Sequence, residues 1–507
     1  MEKDGVMMKN KLTRSVLLFS ALLLAGQTLA SCGDSAVAQS AENTAPVTEA
    51  VVTETETEPI PTSNVPADVT FETGTEVNVL NSGRYDSERV MLNPTAQTGD
   101  VLNDAIFQRN QDIQEKLNIK INYIDYDYDC SSLMQKTVMA GDTSYDVFSG
   151  LGVYLLASVT KNLFYDLLDA PYIDVQNPWW ATDFIENLSI NGNHRYYLSG
   201  DITTLFLRWL PCVYFNKNLY ASYYDDGNAL YQTVLDGKWT LDLYNDLTKD
   251  LWQDLNQNNK TDEGDMLGCG VIDCSITDSI FLSSGGTYTT VNPDGSLTIN
   301  PVTERNISIV EKMNRLYYEN PSTCMYASSW DVINQDITAK FASDQMMFMN
   351  GWFYSSDYLR DMKSDYGIIP MPKADESVDK YRSIIYIDTD VFAVPTTCTK
   401  IDAVCAYMED MAFIGYQTVS PTYYDTVLKG KYMRDSSSEA ATMLDLIHDG
   451  SFTDPAYAYS NLISVGVFHR EILKAKSNDV ASKYEKKKKT YDKEIEKLFA
   501  AFEESEG

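Results

Sequence analysis

From Val77 onward, short apolar runs suited to strands alternate with apolar stripes at helical spacing, and this alternation is the strongest constraint on the fold. Val77-Asn78-Val79-Leu80 reads as a strand, Leu102, Ile106, Ile113 and Leu117 share one helix face, and Ile119, Ile121 and Tyr123 alternate as the next strand. Such an order opens an α/β layered domain. The pattern recurs at Asp146-Val147-Phe148, after a turn at Gly141-Asp142, and again at Cys212-Val213-Tyr214-Phe215 and Phe392-Ala393-Val394. Ile401, Val404, Met408 and Met411 mark a further helix, and a terminal helix is predicted over residues 477–503. A globular region of about 430 residues is near the upper limit for one core, so two lobes are expected.

Charge then removes whole classes of function. Of the 507 residues, 73 are Asp or Glu against 40 Lys or Arg, a formal net charge of -33, which disfavours DNA or RNA because binding there needs cations to replace counterions along phosphates. The lysine run at residues 486–489 reads as a solvated helix face. His194, His448 and His469 are scattered, too few for a multi-histidine zinc centre or an H-E-x-x-H protease, and no phosphate-binding G-x-x-x-x-G-K-[ST] loop occurs.

The N-terminus carries Lys9, Lys11 and Arg14, then apolar residues 16–25, then Leu29-Ala30-Ser31-Cys32, the three-part plan of an export signal. Leu-Ala-Ser-Cys resembles the lipobox of bacterial lipoproteins, which implies removal of residues 1–31 and acylation of Cys32; the alternative is an ordinary secretory signal cut near Ala30. Acyl chains add roughly 0.8 kcal/mol per buried methylene, enough in combination to hold a soluble domain at the extracellular face of a membrane. Residues 32–74 are rich in Thr, Ala, Glu, Pro and Ser and are expected to form a disordered tether. Beyond the leader no apolar run reaches the length of about 18 residues needed to span a bilayer. The seven cysteines after Cys32 show no C-x-x-C spacing and read as buried thiols, with a Cys269 to Cys274 bridge the conceivable pairing.

Several short motifs, in one order along nearly the whole mature chain, are similar to those of bacterial ABC-importer solute-binding lipoproteins, the sugar-binding kind related to maltodextrin-binding protein. They include Asn103-Asp104-Ala105-Ile106 with Arg109-Asn110, Met139-Ala140-Gly141-Asp142 before Tyr145-Asp146-Val147, Pro178-Trp179-Trp180, Asn191-Gly192 and Ser199-Gly200-Asp201. Phe215-Asn216-Lys217-Asn218-Leu219, Gly237-Lys238-Trp239-Thr240 with Asp242, Phe341 with Gly351-Trp352, and the segment Asp365-Tyr366-Gly367 to Pro372-Lys373 continue the order. The departure is at Ser343-Asp344, where relatives often carry Gly. The resemblance implies a two-lobed, type II periplasmic-binding-protein-like α/β fold with a hinge and a central ligand cleft. Lobe one would take residues 75–180 plus 375–430, and lobe two 181–374 plus 431–507. The implied function is a monomeric receptor that captures an oligosaccharide, or another small polar solute, and hands it to ABC transporter permease subunits.

An aromatic face beside Asp, Asn or Arg suits a pyranose ring and its belt of hydroxyls, and the chain holds 34 Tyr and 7 Trp. Arg84, Tyr85 and Asp86 follow the first strand at its C-terminal end, where open α/β sheets collect ligands, and Gly150 holds the equivalent place after the Asp146 strand. By the resemblance, Trp352, Phe353 and Tyr354 occupy the place where sugar binders offer a stacking aromatic, Asp201 lies near the first crossing strand, and Trp180 lines the cleft or packs the lobe junction. Arg208-Trp209 and Trp330 rank below these, with Trp330 the candidate contact among them. Trp239 is structural, with Thr240 as a helix N-cap.

Residues 254–265 place oxygen ligands at Asp254, Asn256, Asn258, Asp262 and Asp265, with the Lys260 carbonyl between, resembling calcium loops of the EF-hand and dockerin type. Asn259 stands where those loops turn on Gly, and Asp265 is shorter than the usual Glu; the plain alternative is an Asx-rich surface turn. No cofactor is required, and any calcium would be structural. The competing functions are a lipid-anchored glycan hydrolase, which a chain with 73 carboxylates cannot refute by composition, and a surface adhesin. No G-x-S-x-G or metal-hydrolase pattern supports the hydrolase.

Overall fold

A computed structural model describes residues 61–192, 194–224, 226–272, 275–292, 296–326, 332–425, 428 and 437–503. Cys32 and Trp330 lie outside the described residues. In chain order the strands are β1 Glu76–Ser82, β2 Lys120–Tyr126, β3 Val147–Leu151, β4 Pro211–Asn216, β5 Leu267–Ile272, β6 Thr289–Val291, β7 Leu297–Ile299, β8 Thr323–Tyr326, β9 Met346–Trp352, β10 Tyr366–Ile369, β11 Ser383–Ile384, β12 Asp390–Ala393 and β13 Ser451–Phe452.

Two sheets carry the architecture. The first has the order β12-β3-β1-β2, with β1 parallel to β2 and β3 and β12 antiparallel to β3; the second has the order β10-β4-β9-β5-β8, with β5 parallel to β8 and β9. In the second sheet β4 runs antiparallel to both β9 and β10. The chain leaves the first sheet between β3 and β4, builds the whole second sheet from strands between β4 and β10, and returns to add β12 to the edge of the first. Helices cover both sheets, because strands such as β3, β4 and β9 are buried along their whole length and need apolar cover on both faces.

Local chemistry explains where these elements begin and turn. Asp100 caps the helix Val101–Leu117 by accepting from the N–H groups of Leu102 and Asn103, and Asn118 ends it in left-handed geometry. Asn216 accepts from Leu219 N–H at the start of Lys217–Tyr223, and Thr240 does the same for Leu243, with Trp239 fully buried before it as the sequence predicts. At the Ser343-Asp344 departure the turn is built without Gly: Asp344 adopts φ 61°, and its carboxylate accepts from Asn216 Nδ2 at 2.5 Å and Ser364 Oγ at 2.8 Å. Cys130, Cys212, Cys269, Cys324, Cys398 and Cys405 are free thiols, all but Cys398 buried; Cys274 is outside the described residues. Among the described residues no helix is long and apolar enough to cross a membrane.

Three boundaries differ from expectation. Residues 61–74, assigned by composition to the tether, are packed: Ser63 Oγ donates to Asp410 at 2.8 Å, Asn64 N–H donates to Glu409 at 3.2 Å, and Val65 is buried. Residues 181–200, assigned to the second lobe, stay with the first sheet, since Leu198 bridges Phe392 of β12 and Gly200 bridges Trp180. The terminal helix Val480–Glu503 packs against Leu156–Lys161 on the first-sheet side, where Phe502 meets Tyr196 at 5.8 Å. Its buried stripe needs apolar partners along its length: Tyr484 and Tyr491 meet Phe468, and Phe502 meets Tyr196 and Tyr459.

Candidate functional site

A cavity of about 290 Å³ opens where the loop after β1 faces the turns before β4 and after β9. The first side contributes Arg84, Tyr85 and Glu88. The loop is folded by Glu88, whose Oε2 accepts from Arg84 N–H at 2.6 Å and Tyr85 N–H at 3.3 Å. Burial pushes the Glu88 carboxyl above its ordinary pKa. Arg84 is fixed by Asp388, 2.5 Å away and almost wholly buried.

The second side is aromatic. Trp209 and Tyr354 line the cavity with rings 4.9 Å apart at 67°, and Tyr358 follows Tyr354 at 6.3 Å and 74°. Such edge-to-face pairs are worth about 0.5–1.5 kcal/mol beyond their buried area, so the wall is preformed. Arg208 reaches Asp357 at 2.6 Å and lies over the Tyr423 ring, 5.8 Å from its centroid. Arg360, exposed at the rim, donates from Nε to the Asp357 carbonyl at 3.1 Å. Two half-exposed rings, Tyr85 at 50% and Tyr358 at 51%, face the opening from opposite sides.

Of the residues expected in the cleft, this cavity brings together Arg84, Tyr85 and Tyr354. Asp86 begins the short helix Asp86–Arg89 beside it, and its side chain is outside what is described. The remaining candidates belong elsewhere. Trp352 and Phe353 are fully buried: Trp352 stacks behind Tyr354 at 5.8 Å and 14°, and Phe353 packs toward Tyr424. Gly150 is a packing glycine, because a Cβ there would lie 2.9 Å from Ser82 Cβ on the neighbouring strand.

Trp180 and Asp201 border a separate cavity of about 200 Å³ with His448 and Asp449. Trp180 is 4% exposed, and its indole N–H, like that of Trp179, donates to Glu409 Oε2, at 3.1 and 3.2 Å. Burial raises the Glu409 pKa to about 7. Asp201, also raised by burial, to about 6, accepts a hydrogen bond from Ser420. The first cavity is also lined by Trp209 and Arg208, which the sequence ranks lower, and by Glu88, Asp357, Tyr358 and Arg360, which it does not single out. The available signal was the spacing of Tyr354 and Tyr358 on the turn that follows β9.

In the 254–265 loop the carboxylates and amides bond one another. Asp254 accepts from the N–H groups of Asn258 and Asn259 at 3.1 and 2.8 Å, and Asp262 accepts from Asn256 Nδ2 at 2.8 Å and Asn258 Nδ2 at 2.5 Å. Asp265 accepts from Leu255 N–H, Asp262 N–H and Trp252 Nε1. Asn259, with φ 57°, makes the turn that Gly makes in related loops. Among the described residues no cluster of three or more His, Cys, Asp or Glu side chains is arranged to hold a metal ion.

Two α/β lobes joined by chain crossings before β4 and after β10, with a cavity between their loops, define the type II periplasmic-binding-protein-like fold. A cyclo/maltodextrin-binding protein solved with maltotetraose shares it at a TM-score of 0.50 and 10% identity, covering 86% of this chain and 98% of that one. The ABC substrate-binding protein Lmo0181 from Listeria monocytogenes, in complex with cycloalternan, aligns at a TM-score of 0.48 and 11% identity over 86% of this chain and 99% of that one. UgpB from Mycobacterium tuberculosis, in complex with glycerophosphocholine, aligns at 0.47 and 13% over 79% and 95%. No family model matches the sequence, and no curated protein matches it.

Proposed function

We propose that the chain is a substrate-binding protein that captures an oligosaccharide between its lobes, leaves it chemically unchanged and delivers it to the permease of an ABC importer. One observation carries this reading: a cavity with an aromatic wall on one lobe faces charged hydrogen-bonding groups on the other. Neither half alone encloses a ring, so ligand contacts made by both lobes favour the closed arrangement. The fold neighbour solved with maltotetraose supports the ligand class. The lipobox-like Leu29-Ala30-Ser31-Cys32 supports an extracellular, lipid-anchored protein with Cys32 as the acylated residue, which mass spectrometry of the membrane-extracted N-terminus would test.

The binding test is calorimetry across an oligosaccharide panel, with product analysis of the same mixtures. Tyr354→Ala is expected to weaken binding by about 1–3 kcal/mol through loss of the wall and also to lower the unfolding midpoint, because the ring is buried against Trp209 and Trp352, so affinity is read where the variant is fully folded. Intact sugar after incubation supports a receptor; shortened sugar would make the chain a hydrolase. Wild-type affinity in Tyr354→Ala would place the sugar elsewhere.

Calcium in the 254–265 loop is a separate proposal. The three carboxylates are not clustered in this arrangement and the Asn256 and Asn258 oxygens accept from Asn258 and Lys260 N–H, so calcium would have to draw Asp254, Asn256, Asn258, the Lys260 carbonyl, Asp262 and Asp265 together in place of those bonds. An ion bound only by the folded chain at about a hundred times its Kd adds roughly 2.7 kcal/mol. The melting temperature should therefore rise in calcium over chelator, and less so in Asp262→Asn. Identical melting in calcium and chelator would reject the site.

A further inference from the structure

Guanidinium groups gather in the cavity between the lobes, beside the carboxylates of Glu88 and Asp357. Arg84, Arg208 and Arg360 line it together, in a chain where acidic residues outnumber basic ones 73 to 40. The carboxylates around them already have work. Glu88 accepts from the Arg84 and Tyr85 backbone, Asp388 holds Arg84, and Asp357 holds Arg208. Those pairings fix the guanidinium groups in position and occupy one oxygen of Asp357; its other oxygen, Oδ1, is buried without a hydrogen-bond partner and can accept from one ring hydroxyl, which leaves Arg360 as the exposed cation for a group that only accepts.

A neutral pyranose presents hydroxyls that donate as well as accept, and it is best matched by a wall that does both. A carboxylate or sulfate only accepts, and a fixed guanidinium fork suits its geometry. Resting on the saccharide reading of this cavity, we propose that the natural ligand is an acidic saccharide. Its anionic group is taken by Arg208 and Arg360 on the rim, while a ring lies against Tyr354 and Trp209. Arg360 is the specificity-determining residue: it is exposed, and its Nε bond to the Asp357 carbonyl holds it beside Arg208.

The test is calorimetry with three length-matched oligosaccharides, one neutral, one carrying uronic acids and one sulfated, on wild type and Arg360→Gln. At least one acidic sugar should bind roughly tenfold or more tightly than the neutral one, and that preference should shrink in high salt and in Arg360→Gln. The uronate and sulfate arms identify which group carries the charge. Melting temperature should not change in Arg360→Gln, since the side chain is exposed. Neutral sugar bound as tightly as both acidic ones, with Arg360→Gln indistinguishable from wild type, overturns the acidic-ligand proposal and leaves the saccharide reading standing. Failure of all three sugars to bind overturns both.

Discussion

Trp352→Ala is expected to cost about 3–5 kcal/mol of folding stability, which makes this residue part of the core and not a ligand contact. The indole is wholly buried at the end of β9, where Pro211 of β4 pairs with it. It meets Trp209 at 5.7 Å and 81°, Tyr386 at 5.8 Å and 40°, and the underside of Tyr354. Tyr214 also donates its hydroxyl to the Trp352 carbonyl at 2.8 Å, so backbone and ring are fixed together. Truncation would leave a void beneath the two rings that form the cavity wall. Urea unfolding should show a lower midpoint with an unchanged slope, and Trp352→Phe should recover much of the loss. A midpoint equal to wild type, with sugar binding abolished, would return Trp352 to the ligand.

The contrast between Trp352 and Tyr354 shows what the sequence could and could not convey. The elements themselves were legible: Leu102, Ile106, Ile113 and Leu117 do form the buried face of one helix, and β1, β3, β4 and β12 lie where the apolar runs placed them. Spacing also located the loop after β1, so Arg84 and Tyr85 were found. It could not say which aromatic after Gly351 faces the cavity, because every residue of β9 is buried and no alternation marks an outer face. The cavity is reached only on the turn beyond, where Tyr354, Asp357, Tyr358 and Arg360 project together.

Composition failed for a different reason at residues 61–74, where Thr, Pro and Glu suggest a solvated tether. The partners that order this segment, Glu409 and Asp410, lie on the helix Ile401–Ile414, far along the chain. The same distance hid the role of Trp180. Its neighbours in sequence gave no hint of the buried Glu409 carboxylate to which both indoles donate. The polar contacts that decide these side chains are long-range, and no local pattern encodes them.

Asp278→Ala should also be damaging, by about 1–3 kcal/mol, because it leaves the buried His469 and the part-exposed Arg470 without the carboxylate they share. Asp278 is fully buried in the helix Ser275–Ser283, and it accepts from His469 Nε2 at 2.9 Å and Arg470 Nε at 2.6 Å, with a second bond from Arg470 Nη2. Burial would push its pKa up, but the charge and hydrogen bonds of Arg470 and His469 outweigh that and hold it below the ordinary carboxylate value. His469 continues the network through Nδ1 to the Tyr288 hydroxyl at 2.6 Å and stacks on Phe281 at 4.4 Å. These contacts fasten the helix Phe468–Lys474 to the second lobe, while the helix that follows it packs on the first-sheet side. The loss should therefore reach beyond the site of the mutation and loosen residues 480–503, read as faster amide exchange there than in Trp352→Ala at matched stability. Adding Arg470→Met to Asp278→Ala removes the unpaired charge, so the double variant should be more stable than the sum of the single losses. Strict additivity, or a single-variant loss below about 1 kcal/mol, would mean the pair is solvated in solution and bears little of the fold, as most exposed ion pairs do.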